Sequence, residues 1–199
     1  MTYTVYGAVR TRTFRVLWLL EELGVPYTHH AESPHSPEVL ALNPRGKVPV
    51  LKVGDRVLTD SSAMLNYLAD AHGAFTAPSG SFERAEQDAM MFRLLDEVDA
   101  LLWTAARHSF ILPEDERVSA VKPTCKLEYQ RNIDRLMDEM SGEFLMGNTM
   151  TITDIVLCHC ANWAGNAGFP EPDATFATYL ERLRARPAFQ AVMAKLPRS

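Results

Sequence analysis

The chain has 199 residues, of which 47% are hydrophobic and 23% are charged, and this ordinary globular composition excludes disordered and collagen-like proteins. A formal net charge of −5 argues against nucleic acid or an acidic membrane as the main partner, because phosphate groups bind to basic surfaces. The densest apolar run, Val16 to Leu20, is too short to cross a membrane, and Arg10 and Arg12 stand where a secretory signal needs apolar residues. We therefore predict a cytoplasmic protein without a membrane partner.

The first 75 residues alternate between strand and helix patterns. Residues 2–6 are β-branched or aromatic and end at Gly7, and the apolar positions of Phe14–Leu23 repeat at helical spacing before Gly24. The same reasoning predicts strands at 25–30, 48–53 and 56–58 and helices at 37–42 and 60–72. The resulting order is β-α-β-α-β-β-α, which indicates an α/β domain over residues 1–75.

The rest of the chain is predicted to be helical. Residues 76–81 are rich in Pro, Gly and Ser and form a linker. Apolar repeats of three and four then predict one long helix over 82–109 and another around 129–140. Thr151 and Asp154 form a capping box at the start of a further helix. We expect a second, all-α domain over residues 82–199.

Two short motifs are candidates for a binding site. Pro49 stands inside an apolar strand pattern, where a trans proline would belong at the strand's beginning or edge. Only about 5 to 6% of X-Pro bonds are cis, so the Val48-Pro49 dipeptide alone favours trans, but the order of elements and the second motif favour cis. That second motif is Asp60-Ser61 at a helix start, where these residues either cap the helix or bind a small carboxylate.

With these motifs, nearly the whole chain resembles the glutathione S-transferase superfamily, in particular its bacterial members. The matching features are the segment Gly46 to Leu51, the acid-serine pair before a helix, the first helix Phe14–Leu23 and the capping box at Thr151. The resemblance implies a thioredoxin-like N-terminal domain and an all-helical C-terminal domain. It further implies glutathione as co-substrate, a homodimer, and a hydrophobic electrophile bound with the help of the helical domain.

The resemblance also implies which residues hold glutathione. Val48, beside Pro49, offers its backbone to the cysteinyl part, as in the pairing of a peptide with a strand. The Ser61 hydroxyl and nearby amides receive the γ-glutamyl carboxylate, and Asp60 faces the ammonium group. Lys47 is expected to reach the glycyl carboxylate or to remain solvated. Arg10 is assigned to glutathione binding through its charge.

Two hydroxyl groups are candidates for the group that activates the thiol. In the superfamily the donor lies at the end of the first strand, which matches Tyr6, or in the following loop, which best matches Thr11. We favour Thr11, while Arg10, Arg12 and Thr13 are neighbouring alternatives.

No cysteine precedes Cys125, so a redox centre of the Cys-x-x-Cys type is excluded from the first domain. Cys158, His159 and Cys160 are predicted to be buried helix residues rather than metal ligands, because residues two apart on a helix diverge. No metal site is expected. His29, His30 and His35 are interpreted as surface residues. At the end of the long helix, Trp103, Arg107 and Phe110 are candidates to line a hydrophobic co-substrate pocket, and core or interface packing explains the two aromatic residues equally well.

The sequence thus predicts a glutathione transferase that conjugates the glutathione thiolate to a hydrophobic electrophile. Two alternatives stay open on the same fold. One is a non-catalytic module that binds glutathione or another ligand, since a fold does not establish a function. The other is a glutathione-dependent isomerase or peroxidase.

Overall fold

A computed structural model describes residues 2–196 of the chain. The chain divides into two compact units. The sheet unit comprises residues 2–78 and 183–196, and the helical unit comprises residues 79–182. Within residues 2–196, no helix is long and apolar enough to cross a membrane.

The sheet unit is an α/β fold built on four strands and confirms the predicted order of elements. Its elements are β1 (Tyr3–Tyr6), α1 (Phe14–Leu23), β2 (Tyr27–His30), α2 (Pro37–Leu42), β3 (Val50–Val53), β4 (Arg56–Thr59), α3 (Ser61–His72) and α9 (Pro187–Met193). The strands stand in the order β2-β1-β3-β4, with β1 parallel to β2 and antiparallel to β3. This mixed sheet is the thioredoxin-like arrangement that the sequence indicates.

The strand register gathers four chain segments at one end of the sheet. Tyr6 pairs with His30 on one side and with Val50 on the other, and Val50 pairs with Thr59. The loops that follow β1, β2 and β4, and the loop that precedes β3, therefore meet at this end, which we call the site end. Both motifs singled out in the sequence lie there.

Two of the predicted strands begin earlier than the observed ones, and a proline explains each difference. β2 begins at Tyr27 rather than at residue 25, because Pro26 has no N–H to donate to the ladder. β3 begins at Val50 for the same reason, since Pro49 precedes it. The helix ends follow the sequence more closely: Gly24 and Gly73 adopt left-handed conformations (φ 63° and 61°) that terminate α1 and α3.

One side of the sheet carries the core of this unit. Residues 14–20 of α1 are all buried, and α1 packs against α3 and α9. Phe189 of α9 meets Phe14 and Trp18 edge to face, with ring centroids 5.2 and 5.0 Å away. Arg186 donates two hydrogen bonds to the Glu22 carboxylate at 2.6 and 2.7 Å. The end of the chain therefore packs on the first helix.

The helical unit contains no strand ladder, as the sequence predicts. Its helices are α4 (Phe82–Leu94), α5 (Ala100–Ala106), α6 (Val121–Glu139), α7 (Ile152–Asn166) and most of α8 (Ala174–Arg184). The long helix predicted over 82–109 is present, but π-helical turns at Leu95–Asp99 and Arg107–Ile111 interrupt its α-helical hydrogen bonds. A period of three and four does not distinguish such turns from a regular helix.

The capping box at the start of α7 forms as predicted and is part of a buried network. The Asp154 carboxylate accepts hydrogen bonds from the Thr151 amide (2.8 Å), the Leu145 amide (2.9 Å) and the Tyr179 hydroxyl (2.8 Å). Burial raises the pKa of Asp154, and these hydrogen bonds oppose that rise. Further along α7, Cys158, His159 and Cys160 are all buried, in line with the sequence prediction.

Candidate functional site

The loop after β1 is built around a close approach at Gly7. Gly7 has φ +139°, which side chains rarely tolerate, and a Cβ there would lie 2.1 Å from Thr13 Oγ1 and 2.9 Å from Val48 Cβ. Glycine therefore allows the β1 loop, the start of α1 and the segment before β3 to meet at the site end.

Thr11 lies in an irregular turn, Val9–Thr13, that leads into α1. Its backbone is extended (φ −108°, ψ −173°) and its side chain is half-buried. The hydroxyl donates to the Ala8 carbonyl at 2.8 Å and accepts from the Thr13 amide at 3.2 Å. Because that donation occupies the only Thr11 proton, the Thr13 hydroxyl is the donor in the 2.8 Å contact between the two side chains. Thr13 is fully buried, so Thr11 is the accessible hydroxyl of the pair.

Tyr6, the other predicted thiol activator, lies on the opposite face of the sheet from α3. Side chains alternate along β1, and Tyr3 contacts α3 through a 2.9 Å hydrogen bond between its hydroxyl and His72. Tyr6 therefore points to the other face, where its ring stacks on His30 with centroids 4.9 Å apart. This placement separates Tyr6 from the face that carries α1 and α3.

The Val48-Pro49 peptide bond is cis, as the combined motifs favour. Pro49 is buried and Val48 is half-buried. Within residues 2–196, the Val48 amide and carbonyl form no hydrogen bond. The adjacent Lys47 carbonyl, in contrast, accepts from the Asn43 side chain at 2.9 Å. Val48 thus offers both a donor and an acceptor to an extended ligand.

Asp60 and Ser61 have different roles at the start of α3. Asp60 has φ +80°, and its Oδ1 accepts from the amides of Ser62 (2.9 Å) and Ala63 (3.0 Å), so it is the helix cap. Its side chain is exposed, which leaves carboxylate capacity facing solvent. Ser61 is 4% exposed and stands at the first position of the helix. Both alternatives from the sequence, capping and a polar ligand site, are therefore compatible with this pair.

Arg15 is a site residue that the sequence reasoning missed. Its side chain is fully buried, and its guanidinium donates to the Ser61 hydroxyl at 3.4 Å. An arginine only donates, so Ser61 accepts from it and keeps its own proton for another acceptor. A charged residue inside the apolar stripe of a buried helix was the signal available in the sequence, because such residues are almost never buried without partners.

His29 makes a second contact that sequence reasoning missed. The sequence indicates a surface residue; its ring is half-buried, and Nε2 lies 2.8 Å from the Gly7 carbonyl oxygen. His30 and His35 are exposed, as predicted. The spacing of the three histidines gave no sign that one of them would bind the loop after β1.

Two cationic side chains lie at the site end without ion-pair partners among residues 2–196. Arg10, in the turn before α1, and Lys47, before the cis proline, are both exposed. They give this end of the sheet a positive character that favours an anionic ligand.

The three predicted co-substrate residues lie in the helical unit. Trp103 is half-buried in α5, while Arg107 and Phe110 are exposed in the π-helical turn that follows, Phe110 with 65% of its surface accessible. Trp103 and Arg107 are four residues apart along the helix, and Phe110 lies within the π-helical turn. A groove of about 370 Å³ in this unit is formed elsewhere, by residues of the α6–α7 connection and of α8, Arg182 among them. Among residues 2–196, no three His, Cys, Asp or Glu side chains are grouped for a metal ion.

Comparison with known proteins identifies the family. The family model for the glutathione S-transferase N-terminal domain matches residues 11–71. The chain is 32% identical over 146 residues to a glutathione S-transferase of Xanthomonas campestris, covering 69% of each protein. It is 27% identical over 128 residues to a maleylacetoacetate isomerase of Dictyostelium discoideum, covering 61% of this chain and 57% of that protein.

A solved structure extends the likeness to the whole chain. The theta class glutathione S-transferase of Xanthomonas axonopodis, crystallised with glutathione bound, superposes with a TM-score of 0.78 at 28% identity and covers 98% of this chain and 99% of its own. The fold, the family match over residues 11–71 and the Xanthomonas campestris relative agree. The chain belongs to the glutathione S-transferase superfamily of enzymes.

Proposed function

We propose that the protein is a glutathione transferase that conjugates the glutathione thiolate to a hydrophobic electrophile. The observation that carries this proposal is the meeting, at the site end, of the unpaired Val48 backbone, the Ser61 hydroxyl and the Thr11 loop. The bound glutathione in the structure of the Xanthomonas axonopodis relative supports the choice of ligand.

The Val48 backbone is proposed to bind the cysteinyl part of glutathione. An unpaired amide and carbonyl beside a cis proline suit an extended peptide, which supplies the matching acceptor and donor. Such pairing needs no particular side chain, so it tolerates the half-buried valine at this position.

Asp60 and Ser61 are proposed to bind the γ-glutamyl end. Ser61 has a proton to donate, because Arg15 already donates to its oxygen, and a ligand carboxylate is a good acceptor. The exposed side of the Asp60 carboxylate suits the α-ammonium group of the same residue. The positive end of the α3 dipole adds to the attraction for the carboxylate.

Thr11 is proposed to stabilise the thiolate, with Tyr6 as the alternative donor. A thiol of pKa about 8.5 is only about 3% ionised at pH 7, and lowering that pKa by two units needs about 2.7 kcal/mol. Thr11 is favoured because its side chain lies at the start of α1, whereas the Tyr6 ring lies on the other face of the sheet. Arg10 and Lys47 are proposed to contribute charge, Lys47 toward the glycyl carboxylate.

The helical domain, predicted over residues 82–199 and compact over residues 79–182 in the structure, is proposed to contribute the electrophile site, and residues 1–75 the glutathione site. Trp103, Arg107 and Phe110 are proposed to line this site, and the exposed Phe110 ring supports contact with an apolar molecule. The attacking sulfur forms a new bond to carbon while a leaving group departs or a polarised double bond opens. We further propose a cytoplasmic homodimer.

A second function is favoured by one relative. The Dictyostelium discoideum relative is named a maleylacetoacetate isomerase, which supports a glutathione-dependent isomerase as the alternative chemistry. A peroxidase or a non-catalytic binding module would keep the same glutathione site.

Parallel binding and turnover measurements test the proposal. Calorimetry with glutathione reports binding, and steady-state assays with chlorodinitrobenzene, an organic peroxide and maleylacetoacetate separate the three chemistries. Conjugation above the uncatalysed rate supports the transferase. Binding without turnover of any substrate would instead favour the module, and absence of glutathione binding would refute every version of the proposal.

A further inference from the structure

The ring of His29 holds the loop that carries Thr11. The Gly7 carbonyl oxygen can only accept, so His29 Nε2, 2.8 Å away, carries the hydrogen of this bond. The amide of the same glycine donates to the His30 carbonyl at 2.9 Å. Both polar groups of Gly7 are therefore fixed by the end of β2.

The position of Gly7 affects the candidate site because Gly7 packs against residues of the site. Its Cα lies against the Thr13 side chain and against Val48, because a Cβ on Gly7 would lie only 2.1 Å from Thr13 Oγ1 and 2.9 Å from Val48 Cβ. Thr13 in turn donates through its hydroxyl and its amide to Thr11. The next carbonyl along the chain, that of Ala8, accepts the Thr11 proton. A rotation of the peptide after Gly7 would disturb each of these contacts.

Core packing does not explain the histidine at position 29. His29 pairs with Val5 across the ladder and shares that residue's face, yet Val5 is fully buried while the His29 ring remains half-exposed. Among residues 2–196, no disulfide holds the loop after β1, and the ring contact at the start of this loop is the stacking of Tyr6 on His30. His29 reaches the Gly7 carbonyl from the neighbouring strand β2.

We propose that His29 is a positioning residue for glutathione activation, which fixes the peptide after Gly7 and so sets the Thr11 hydroxyl relative to the Val48 backbone. This inference rests on the proposed function. It assigns His29 no contact with glutathione. Loss of the bond is expected to lower kcat far more than it raises KM, because binding through Val48 and Ser61 persists while the donor is displaced.

Three variants test the hydrogen bond itself. His29→Gln places an amide NH the same number of bonds from Cα as Nε2 and retains the donor, whereas the amide of His29→Asn is one bond shorter and cannot reach. His72→Asn is the matched control, because His72 Nε2 bonds the Tyr3 hydroxyl at 2.9 Å at the opposite end of β1. Thermal melts of all three variants define a temperature at which each is folded, and the assays are run at that temperature.

With glutathione and chlorodinitrobenzene, His29→Asn should lower kcat about tenfold and change KM less than twofold. His29→Gln should have a kcat within about threefold of the wild-type value. The control His72→Asn should also keep kcat within about threefold of the wild type. Equal rates for His29→Asn and wild type, or a Gln variant as slow as the Asn variant, would overturn the proposal.

A ligand-free measurement separates this proposal from the proposed function. Long-range proton–nitrogen spectra of the wild type should show His29 protonated on Nε2, and the Ala8 amide resonance should move in His29→Asn but not in His29→Gln. A bare Nε2, or an unmoved Ala8 resonance, would overturn the positioning role. If the wild type lacks glutathione-dependent turnover, the proposed function fails while this spectrum still decides whether His29 fixes the loop.

Discussion

Replacing Ser61 with alanine tests the proposed γ-glutamyl site most directly. The hydroxyl oxygen accepts from Arg15, so its proton remains available for a ligand carboxylate. A hydrogen bond to a charged group is worth about 1.5 to 3 kcal/mol, which corresponds to about a 10- to 150-fold weaker Kd. Folding stability should fall moderately, because the buried Arg15 guanidinium loses one acceptor, but the helix keeps its Asp60 cap and the variant should remain folded.

The assay is calorimetry with two ligands, glutathione and its derivative in which the γ-glutamyl α-carboxylate is an amide. If Ser61 binds that carboxylate, the mutation and the amidation remove the same charged hydrogen bond. Their effects should then be strongly non-additive: Ser61→Ala should weaken the binding of glutathione at least tenfold and that of the amide derivative less than threefold.

The neighbouring serine provides the control. Ser62 is also buried at the start of α3, and its amide donates to Asp60, a bond that Ser62→Ala preserves. Ser62→Ala should keep the glutathione Kd within about twofold. An unchanged Kd in folded Ser61→Ala, or equal losses for the two ligands, would refute the assignment of Ser61.

Three further predictions concern stability, assembly and ionisation. Asp154→Ala should lower the free energy of unfolding by about 3 to 5 kcal/mol in a urea titration, because it leaves two amides and the Tyr179 hydroxyl unpaired; a loss below about 1 kcal/mol would contradict the buried network. Sedimentation at micromolar concentration should give twice the mass of the chain, and a single monomeric species would rule out the proposed homodimer. Thr11→Ala should raise the pKa of bound glutathione by about one unit in an ultraviolet titration, with little change in Kd; an unchanged pKa would exclude Thr11 as the donor.

The parts of this fold that follow from local chemistry were predictable. Gly24 ends α1 because a left-handed residue is needed there, and Thr151 with Asp154 starts α7 because the two side chains satisfy each other's amides. The existence of the helices and strands, and their order along the chain, follow from hydrophobic periodicity together with such start and stop signals. The cis bond before Pro49 required more than one motif, since the dipeptide alone favours trans.

The missed site residues share a physical cause. Arg15 bonds Ser61, 46 positions along the chain, and His29 bonds Gly7, 22 positions back. Neither contact leaves a periodic or short-range signature, because each depends on how the elements pack. The π-helical turns around α5 were missed for a related reason, since one extra residue in a turn hardly disturbs an apolar period over a long helix.

The hydrogen bonds that Thr11 forms within its own turn limit what its hydroxyl contributes to the thiol pKa. To donate to a thiolate, Thr11 must give up its bond to the Ala8 carbonyl, so a neutral hydrogen bond of about 0.5 to 1.5 kcal/mol is exchanged for a charged one of about 1.5 to 3 kcal/mol. The difference, about 1 to 1.5 kcal/mol, lowers the thiol pKa by about one unit. A second unit must come from charge, for which Arg10 and the amino-terminal end of α1, both next to Thr11 in the chain, are candidate sources. Because salt screens an exposed cation, the remaining pKa shift in Thr11→Ala should shrink as ionic strength rises, whereas a shift that resists salt would place its origin in the backbone.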